Sequence, residues 1–157
     1  MQTHPNSPKR ILVVPLRYIG DTVLTIPVLR HLHQHFPKAA IDVLTSKTAR
    51  VLLENCPYIA QTLLEPKRLP ERFAQLKNGQ YDTLLLFRKS FTFATMAQFA
   101  GIPTRIGYDM QRFPKPIGFK RFGLCLNHTY PYPTPDTQTH QANHHLHHLQ
   151  ALGISHA

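Results

Sequence analysis

The sequence has few cysteines and no long apolar run, and both absences narrow its class. Its two cysteines, Cys56 and Cys125, are too few for a disulfide framework and form no C-x-x-C pair, so we expect reduced thiols in a reducing compartment. No stretch approaches the roughly 20 uncharged apolar residues of a membrane span. Residues 1–10 lack the apolar core of a secretory signal. We therefore predict a cytoplasmic protein.

Acidic residues are also scarce. The 157 residues include 8 Asp+Glu against 18 Lys+Arg, which gives a net charge of +10 with histidine neutral. Residues 88–121 carry seven of these bases and one acid, Asp109. Such a balance indicates a negatively charged partner: nucleic acid, an anionic membrane face, or a phosphorylated or carboxylated substrate. Solubilising charge scattered over the surface is the alternative.

Short apolar runs alternate with amphipathic segments along most of the chain. We predict strands at residues 11–16, 40–44, 61–64, 81–87 and 105–108, and helices at 21–36, 46–55, 69–77, 90–100 and 138–152. Pro27 is expected to kink the first helix or to start its main part. The alternation predicts an α/β domain over residues 1–157, with a Rossmann-like parallel sheet sandwiched by helices.

Residues 109–137 lose this periodicity. Five prolines and several aromatic and basic side chains gather there, which predicts a long loop. A loop of this length in a compact domain is usually functional or disordered, and its aromatic content argues against disorder.

Doubly wound sheets bind ligands beyond the carboxyl ends of their strands, where residues 17–22, 88–90 and 108 onward would lie. The first of these loops contains Arg17, Gly20, Asp21 and Thr22. A single glycine matches neither the dinucleotide fingerprint nor a Walker loop, so no nucleotide cofactor is predicted on this domain. Asp21 is either a helix cap or a catalytic base.

The first strand and helix carry a recognisable motif. Residues 11–29 read ILVVPLRYIGDTVLTIPVL and contain a G-D-x-x-x-T-x-P core formed by Gly20, Asp21, Thr25 and Pro27. This segment resembles the N-terminal signature of the lipopolysaccharide heptosyltransferases, glycosyltransferase family nine. Residues 81–91, 99–108 and 140–154 are similar to further blocks of that family. The resemblance covers nearly the whole chain but only the first half of such an enzyme.

The resemblance implies the N-terminal half of a GT-B glycosyltransferase, with the acceptor on the first Rossmann-like half and the sugar nucleotide mainly on the second. Asp21 would be the general base that takes a proton from the acceptor hydroxyl, as this oxygen displaces the nucleotide from the anomeric carbon with inversion. Because helix N-termini stabilise anions, we expect this carboxylate to be a weak base.

The donor, ADP-heptose, would bind a C-terminal domain that this chain does not contain. We therefore expect no transfer by the chain alone. A fragment, a split enzyme whose donor domain lies on a separate chain, and a non-catalytic truncated remnant remain open alternatives.

The implied acceptor is an anionic glycolipid, the inner-core sugar of lipid A, which suggests peripheral contact with the inner face of the inner membrane. Its carboxylates and phosphates call for cationic and hydroxyl partners. The predicted acceptor-binding residues are Arg88, Lys89, Ser90, Arg105, Lys115, Lys120 and Arg121. Capping of the following helix is the alternative role for Ser90, and pairing with an acid across the sheet is the alternative for Arg105. The aromatic rings of residues 109–137 would stack on sugar rings of the acceptor or fill a small core of their own.

Histidines at positions 140, 144 and 148 follow an i, i+4, i+8 spacing, with His145 and His147 beside them. An i, i+4 histidine pair on a helix can bind zinc or nickel. Since no cysteine or carboxylate nearby completes a site, we predict a solvated polar face and no metal.

A nucleic-acid-binding module is the rival from another class, because the chain is basic and interleaves aromatic residues with its cations. No recognition-helix, RRM or KH pattern is present, so no nucleic-acid partner is expected.

Overall fold

The structure, a computed structural model, describes residues 7–109, 125–131 and 141–155. The strands are β1 (Arg10–Val14), β2 (Ala40–Thr45), β3 (Gln61–Leu64), β4 (Thr83–Leu86), β5 (Thr104–Asp109) and β6 (His128–Pro131). The helices are α1 (Ile19–His35), α2 (Lys47–Arg50), α3 (Leu69–Asn78), α4 (Phe91–Phe99) and α5 (Gln141–His147), with 3₁₀ turns at Val51–Leu53 and His148–Leu152.

All six strands form one sheet in the order β3-β2-β1-β4-β5-β6, and every neighbouring pair is parallel. The predicted α/β class and Rossmann-like sheet are confirmed. The strand order reverses between β1 and β4, which is the point where such sheets open a crevice at their carboxyl ends.

Each face of the sheet is covered by helices, which explains why β1 and β4 are apolar without alternation. On one face, α1 packs its buried Val28, Leu29 and Leu32 against the sheet and contacts α5. On the other face, α3 and α4 contribute apolar side chains such as Leu76 and Phe93. The two cores hold the strand ends in fixed positions, and the loops at the carboxyl edge are built on them.

The first helix differs from the prediction at two points. It runs as one element from Ile19 to His35 with Pro27 inside it, so the alternative that it begins again at the proline is wrong, and the kink stays a prediction. Helix interiors that contain proline lose one backbone bond, and here the continuous buried face on both sides of Pro27 offsets that loss. The N-cap is Tyr18, without a side-chain cap, so Asp21 is the third helical residue and not the cap.

Strand β6 is a correction to the predicted loop at residues 109–137. It pairs in parallel with β5 through four residues, from His128 to Pro131. The sequence gives no alternating pattern there because the strand is short and lies at the sheet edge, where a proline is tolerated. Residues 110–124 and 132–140, which include most of the prolines and aromatics of that prediction, lie outside the described residues.

The histidine-rich segment differs from the predicted solvated face at two positions, whereas His147 is exposed as predicted and His140 lies outside the described residues. His145 and His148 are completely buried, and His148 contacts the rings of Phe87, Tyr108 and Tyr130. Burial lowers the pKa of His145 to about 4 and that of His148 to about 3, so both rings are neutral core members. Their spacing therefore reflects packing of α5 on the sheet and α1.

A buried carboxylate joins the amino ends of four strands. Asp42, on β2, accepts hydrogen bonds on one oxygen, Oδ2, from Arg10 at 3.0 Å, Gln61 at 2.9 Å and Tyr81 at 2.9 Å. Asp82 adds a second contact at this edge, since it accepts hydrogen bonds from the backbone N–H groups of Lys9 and Arg10.

No helix of the described part of the chain is long and apolar enough to cross a bilayer.

Candidate functional site

A crevice opens where the strand order reverses, between the carboxyl ends of β1 and β4. It encloses a cavity of about 510 Å³, lined by Leu16, Arg17, Tyr18, Arg88, Lys89 and Ser90. The fold thus brings together two segments that are about 70 residues apart in sequence, because parallel neighbours end at the same edge.

A second cavity of about 390 Å³ adjoins the carboxyl ends of β2 and β3. Its wall includes five cations and one carboxylate: Arg17, Lys47, Lys67, Arg72, Arg88 and Glu65. Arg17 and Arg88 line both cavities. The carboxyl edge is therefore a continuous cationic surface, a suitable environment for an anionic ligand.

Glu65, the residue after β3, organises three arginines at this edge. Its carboxylate lies 2.7 Å from Arg88, 2.9 Å from Arg72 and 3.6 Å from Arg17. Burial opposes ionisation of Glu65, but the arginines outweigh it and lower its pKa overall. We call these four residues the Glu65 cluster; three positive charges against one negative leave it at +2.

Arg88 is the most buried arginine of the cluster, with 9% of its side chain exposed. Its Nη1 donates to Glu65, and its guanidinium lies 4.4 Å from the centre of the Phe93 ring. Nε and Nη2 are buried and have no hydrogen-bond partner among the described residues. Burial lowers the pKa of Arg88, but arginine stays charged at neutral pH.

Asp21 lies in the first turn of α1, half-buried, at the carboxyl edge. It is not among the residues that line the two cavities, although Arg17 and Tyr18 just before it are. The Asp21 carboxylate forms no hydrogen bond or ion pair with the described residues. Burial raises its pKa, which is opposite to the direction expected from the helix N-terminus.

The other predicted residues of the two loops have local roles as well. Thr22 is buried and donates to the carbonyl of Tyr18, so its hydroxyl faces the helix and not the crevice. Ser90 accepts from the N–H of Phe93, which confirms the capping alternative, and it also lines the crevice. Lys89 lines the crevice, and burial lowers its pKa. A Cβ at Gly20 would have no atom within 4 Å, so that backbone is open to an approaching group.

Arg105 is not brought to this site. It is the second residue of β5, at the amino edge, and its guanidinium donates to the carbonyls of Cys125 and Ile102. These backbone carbonyls are therefore the partners of Arg105 in place of the acid across the sheet that was the alternative predicted from the sequence. Lys115, Lys120 and Arg121 lie outside the described residues.

Sequence reasoning missed Glu65 and Arg72. A signal was present: Glu65 directly follows a predicted strand, at the edge where Arg17 and Arg88 were placed, and only eight acids occur in the chain. What the sequence does not reveal is that the carboxylate points inward to the arginines. The described residues contain no group of three or more histidine, cysteine or carboxylate side chains that could hold a metal ion.

Comparison with known proteins supports the resemblance found in the motif. The chain is 32% identical over 106 residues to lipooligosaccharide heptosyltransferase 2 of Haemophilus ducreyi, covering 63% of this chain and 30% of that protein. The structure of the Escherichia coli ADP-heptose lipopolysaccharide heptosyltransferase II matches with 30% identity and a TM-score of 0.56, over 63% of this chain and 30% of that one. No protein-family model matches the chain.

A glycosyltransferase family 9 structure from Veillonella parvula shares the fold, with a TM-score of 0.72 at 18% identity, over 94% of this chain and 42% of that one. The chain spans about a third of the length of the curated relatives that it matches.

Proposed function

Since this chain is a homologue of the lipopolysaccharide heptosyltransferases over about a third of their length, we propose that it is the acceptor-binding part of a glycosyltransferase of lipopolysaccharide core biosynthesis. The enzyme would have two Rossmann-like halves in the GT-B arrangement. It would transfer a heptose from ADP-heptose to an anionic core sugar, and this half would hold the sugar.

The two buried donors of Arg88 that lack a partner among the described residues carry this proposal. Buried N–H groups without partners are rare, because each costs about 1–3 kcal/mol of lost solvation. At Arg88 two such groups belong to a cation that lines both cavities. A carboxylate or phosphate of the acceptor supplies the missing acceptor atoms, and Arg17 and Lys89 add positive charge beside it.

Asp21 is the proposed general base. A half-buried carboxylate with a raised pKa is a better proton acceptor than one stabilised by ion pairs, and a positioned base contributes roughly 10²–10⁴-fold to a rate. It takes the proton from the acceptor hydroxyl while that oxygen forms its bond to the anomeric carbon. The bond between that carbon and the nucleotide phosphate breaks, and the configuration inverts.

The donor half of the site is proposed to come from another part of the enzyme, either a further domain or a separate chain. The first loop has a single glycine, so its backbone does not form a phosphate-cradling loop of the dinucleotide type. The proposal gives this half an acceptor but no nucleotide and no metal cofactor. It also implies a working position at the inner face of the inner membrane, where the lipid-linked acceptor is found.

Binding of the acceptor tests the proposal directly. Calorimetric titration of the chain with inner-core lipid A is expected to show saturable binding that Arg88→Ala weakens at least about tenfold, equivalent to about 1.4 kcal/mol. A matched control is Arg50→Ala, which removes an exposed arginine of α2 that lines neither cavity. Equal affinity for a neutral glycolipid would contradict the proposal.

Transfer is tested by adding the donor half. The chain alone with ADP-heptose and acceptor is expected to give no product, and the chain joined to the donor-binding half of a relative is expected to give transfer. Asp21→Asn in the joined protein should then reduce kcat by about 10² or more while leaving acceptor binding intact. An unchanged rate would exclude Asp21 as the base.

A further inference from the structure

The guanidinium of Arg88 is held on one side only. Glu65 binds Nη1 at 2.7 Å, and the Phe93 ring contacts the flat face of the group. The opposite side of the guanidinium is formed by Nε and Nη2, and both lack a partner among the described residues. These two N–H groups are parallel, which is the arrangement that binds two oxygens of one carboxylate or phosphate.

The same carboxylate also forms an ion pair with Arg72. Arg72 lies 2.9 Å from Glu65 and donates to the carbonyl of Pro66 at 3.0 Å, and its side chain is mostly buried. Arg17 is different: it is 3.6 Å from Glu65 and 68% exposed. Glu65 is therefore in close contact with two largely buried arginines, and the third is exposed and farther away.

We propose that Glu65 is a positioning residue, which orients Arg88 so that its Nε and Nη2 bind an oxyanion of the ligand in a bidentate manner. This inference rests on the proposed function, since it assigns a role to an acid within the anion-binding edge. It goes beyond that function because a negative charge at this place is expected, on charge alone, to weaken anion binding.

The two roles of a carboxylate in a cationic site have opposite consequences. If Glu65 only neutralises charge, its removal changes the Glu65 cluster from +2 to +3 and strengthens anion binding. If Glu65 positions Arg88, removal of Glu65 lets the Arg88 side chain move. Ligand binding must then bear the entropy cost of ordering this side chain, so the affinity falls. The burial of Arg88 and its single fixed nitrogen favour positioning.

The test measures the affinity of the intact chain for inorganic phosphate and, separately, for acetate, which distinguishes a phosphate ligand from a carboxylate. Glu65→Ala is expected to raise the dissociation constant at least about fivefold, and Glu65→Gln, which keeps an oxygen for Nη1, is expected to raise it less. Glu54→Ala is the matched control, because it removes an exposed acid with the same change in net charge and lines neither cavity. Its dissociation constant should change less than twofold.

Nitrogen-15 spectra of the arginine side chains provide a second readout that does not depend on the variants. In the unsubstituted chain, phosphate should shift the Nε–H signal of Arg88 and leave its Nη1 group bound to Glu65. Tighter or unchanged binding by Glu65→Ala, or release of Nη1 on phosphate binding, would overturn the positioning role. If the unsubstituted chain binds neither anion, the anion site of the proposed function fails instead.

Discussion

The ring of His148 meets the ring of Tyr108 edge-on, with 4.3 Å between their centroids. His148 comes from the turn after α5 and Tyr108 from β5, so this contact attaches the last helical segment to the sheet. His145 adds a stacked contact with Phe87 at 4.5 Å. Both histidines are uncharged where they lie, and this makes the attachment sensitive to acid.

Acid should destabilise the fold in a defined window. Both histidines have folded-state pKa values below the ordinary 6.5, about 4 for His145 and about 3 for His148. They do not change the free energy of unfolding above pH 6.5 and lower it as the pH falls from 6.5 toward 3, because the unfolded state binds the protons first. Two such groups should remove about 2–3 kcal/mol of the free energy of unfolding between pH 7 and 5.5. Urea denaturation at the two pH values measures this. His145→Phe/His148→Phe should lose most of the pH dependence, and His35→Gln, an exposed control, should keep it.

Removal of the Asp42 carboxylate should destabilise the chain strongly. Asp42→Ala leaves the buried Tyr81 hydroxyl without its acceptor and breaks the pair with Arg10, so we expect a loss of about 3–5 kcal/mol in the free energy of unfolding. Denaturant titration beside Glu54→Ala, which should differ from the unsubstituted chain by less than about 0.5 kcal/mol, is the comparison. A loss below 1 kcal/mol would show that the Asp42 network is weak.

Two glycines should respond in opposite ways to the same substitution. Gly20→Ala places its new Cβ in open space within a helical turn, so stability should be unchanged or rise by up to about 1 kcal/mol. Gly107→Ala puts a Cβ 3.0 Å from the Leu86 carbonyl and from Leu126, which should cost about 1–3 kcal/mol. Thermal unfolding of both variants compares them. A destabilised Gly20→Ala variant would contradict the open space that the structure shows around the new Cβ.

Arg105 should affect stability without affecting ligand binding. Its guanidinium bonds backbone carbonyls of residues 102 and 125, and a lysine has no planar fork to reach both. Arg105→Lys should therefore lose about 1–3 kcal/mol of folding free energy while its phosphate dissociation constant stays within about twofold. Urea unfolding and phosphate titration give the two values. Weakened phosphate binding by a folded Arg105→Lys variant would show that Arg105 contributes to anion binding, as predicted from the sequence.

Local signals were enough for most of the fold. Ser46 and Ser90 cap their helices as their residue type indicates, and Gly153 ends the final segment in the left-handed conformation. The apolar runs predicted five of the strands. Of these, β1 and β4 are buried along nearly all of their length and can be recognised from their own residues alone.

Features that depend on tertiary contacts were not predictable in the same way. The burial of His145 is set by Phe87, which is far away in sequence, so the histidine spacing alone could not distinguish a core from a wet surface. Strand β6 depends on its pairing with β5 and not on its own four residues. For the candidate site, the predicted topology placed the loops of Arg17 and Arg88 at the same edge of the sheet. The direction of the Glu65 side chain depends on tertiary contacts with the arginines and could not be predicted.

The parallel sheet places the contacts that stabilise the fold and the candidate site at opposite edges. Asp42, Asp82 and Arg105 anchor the chain where the strands begin, and the Glu65 cluster occupies the place where they finish. Substitutions that change ligand binding at the carboxyl edge leave the stabilising contacts at the amino edge unchanged. The loops at the carboxyl edge can therefore change in sequence without loss of the contacts at the amino edge.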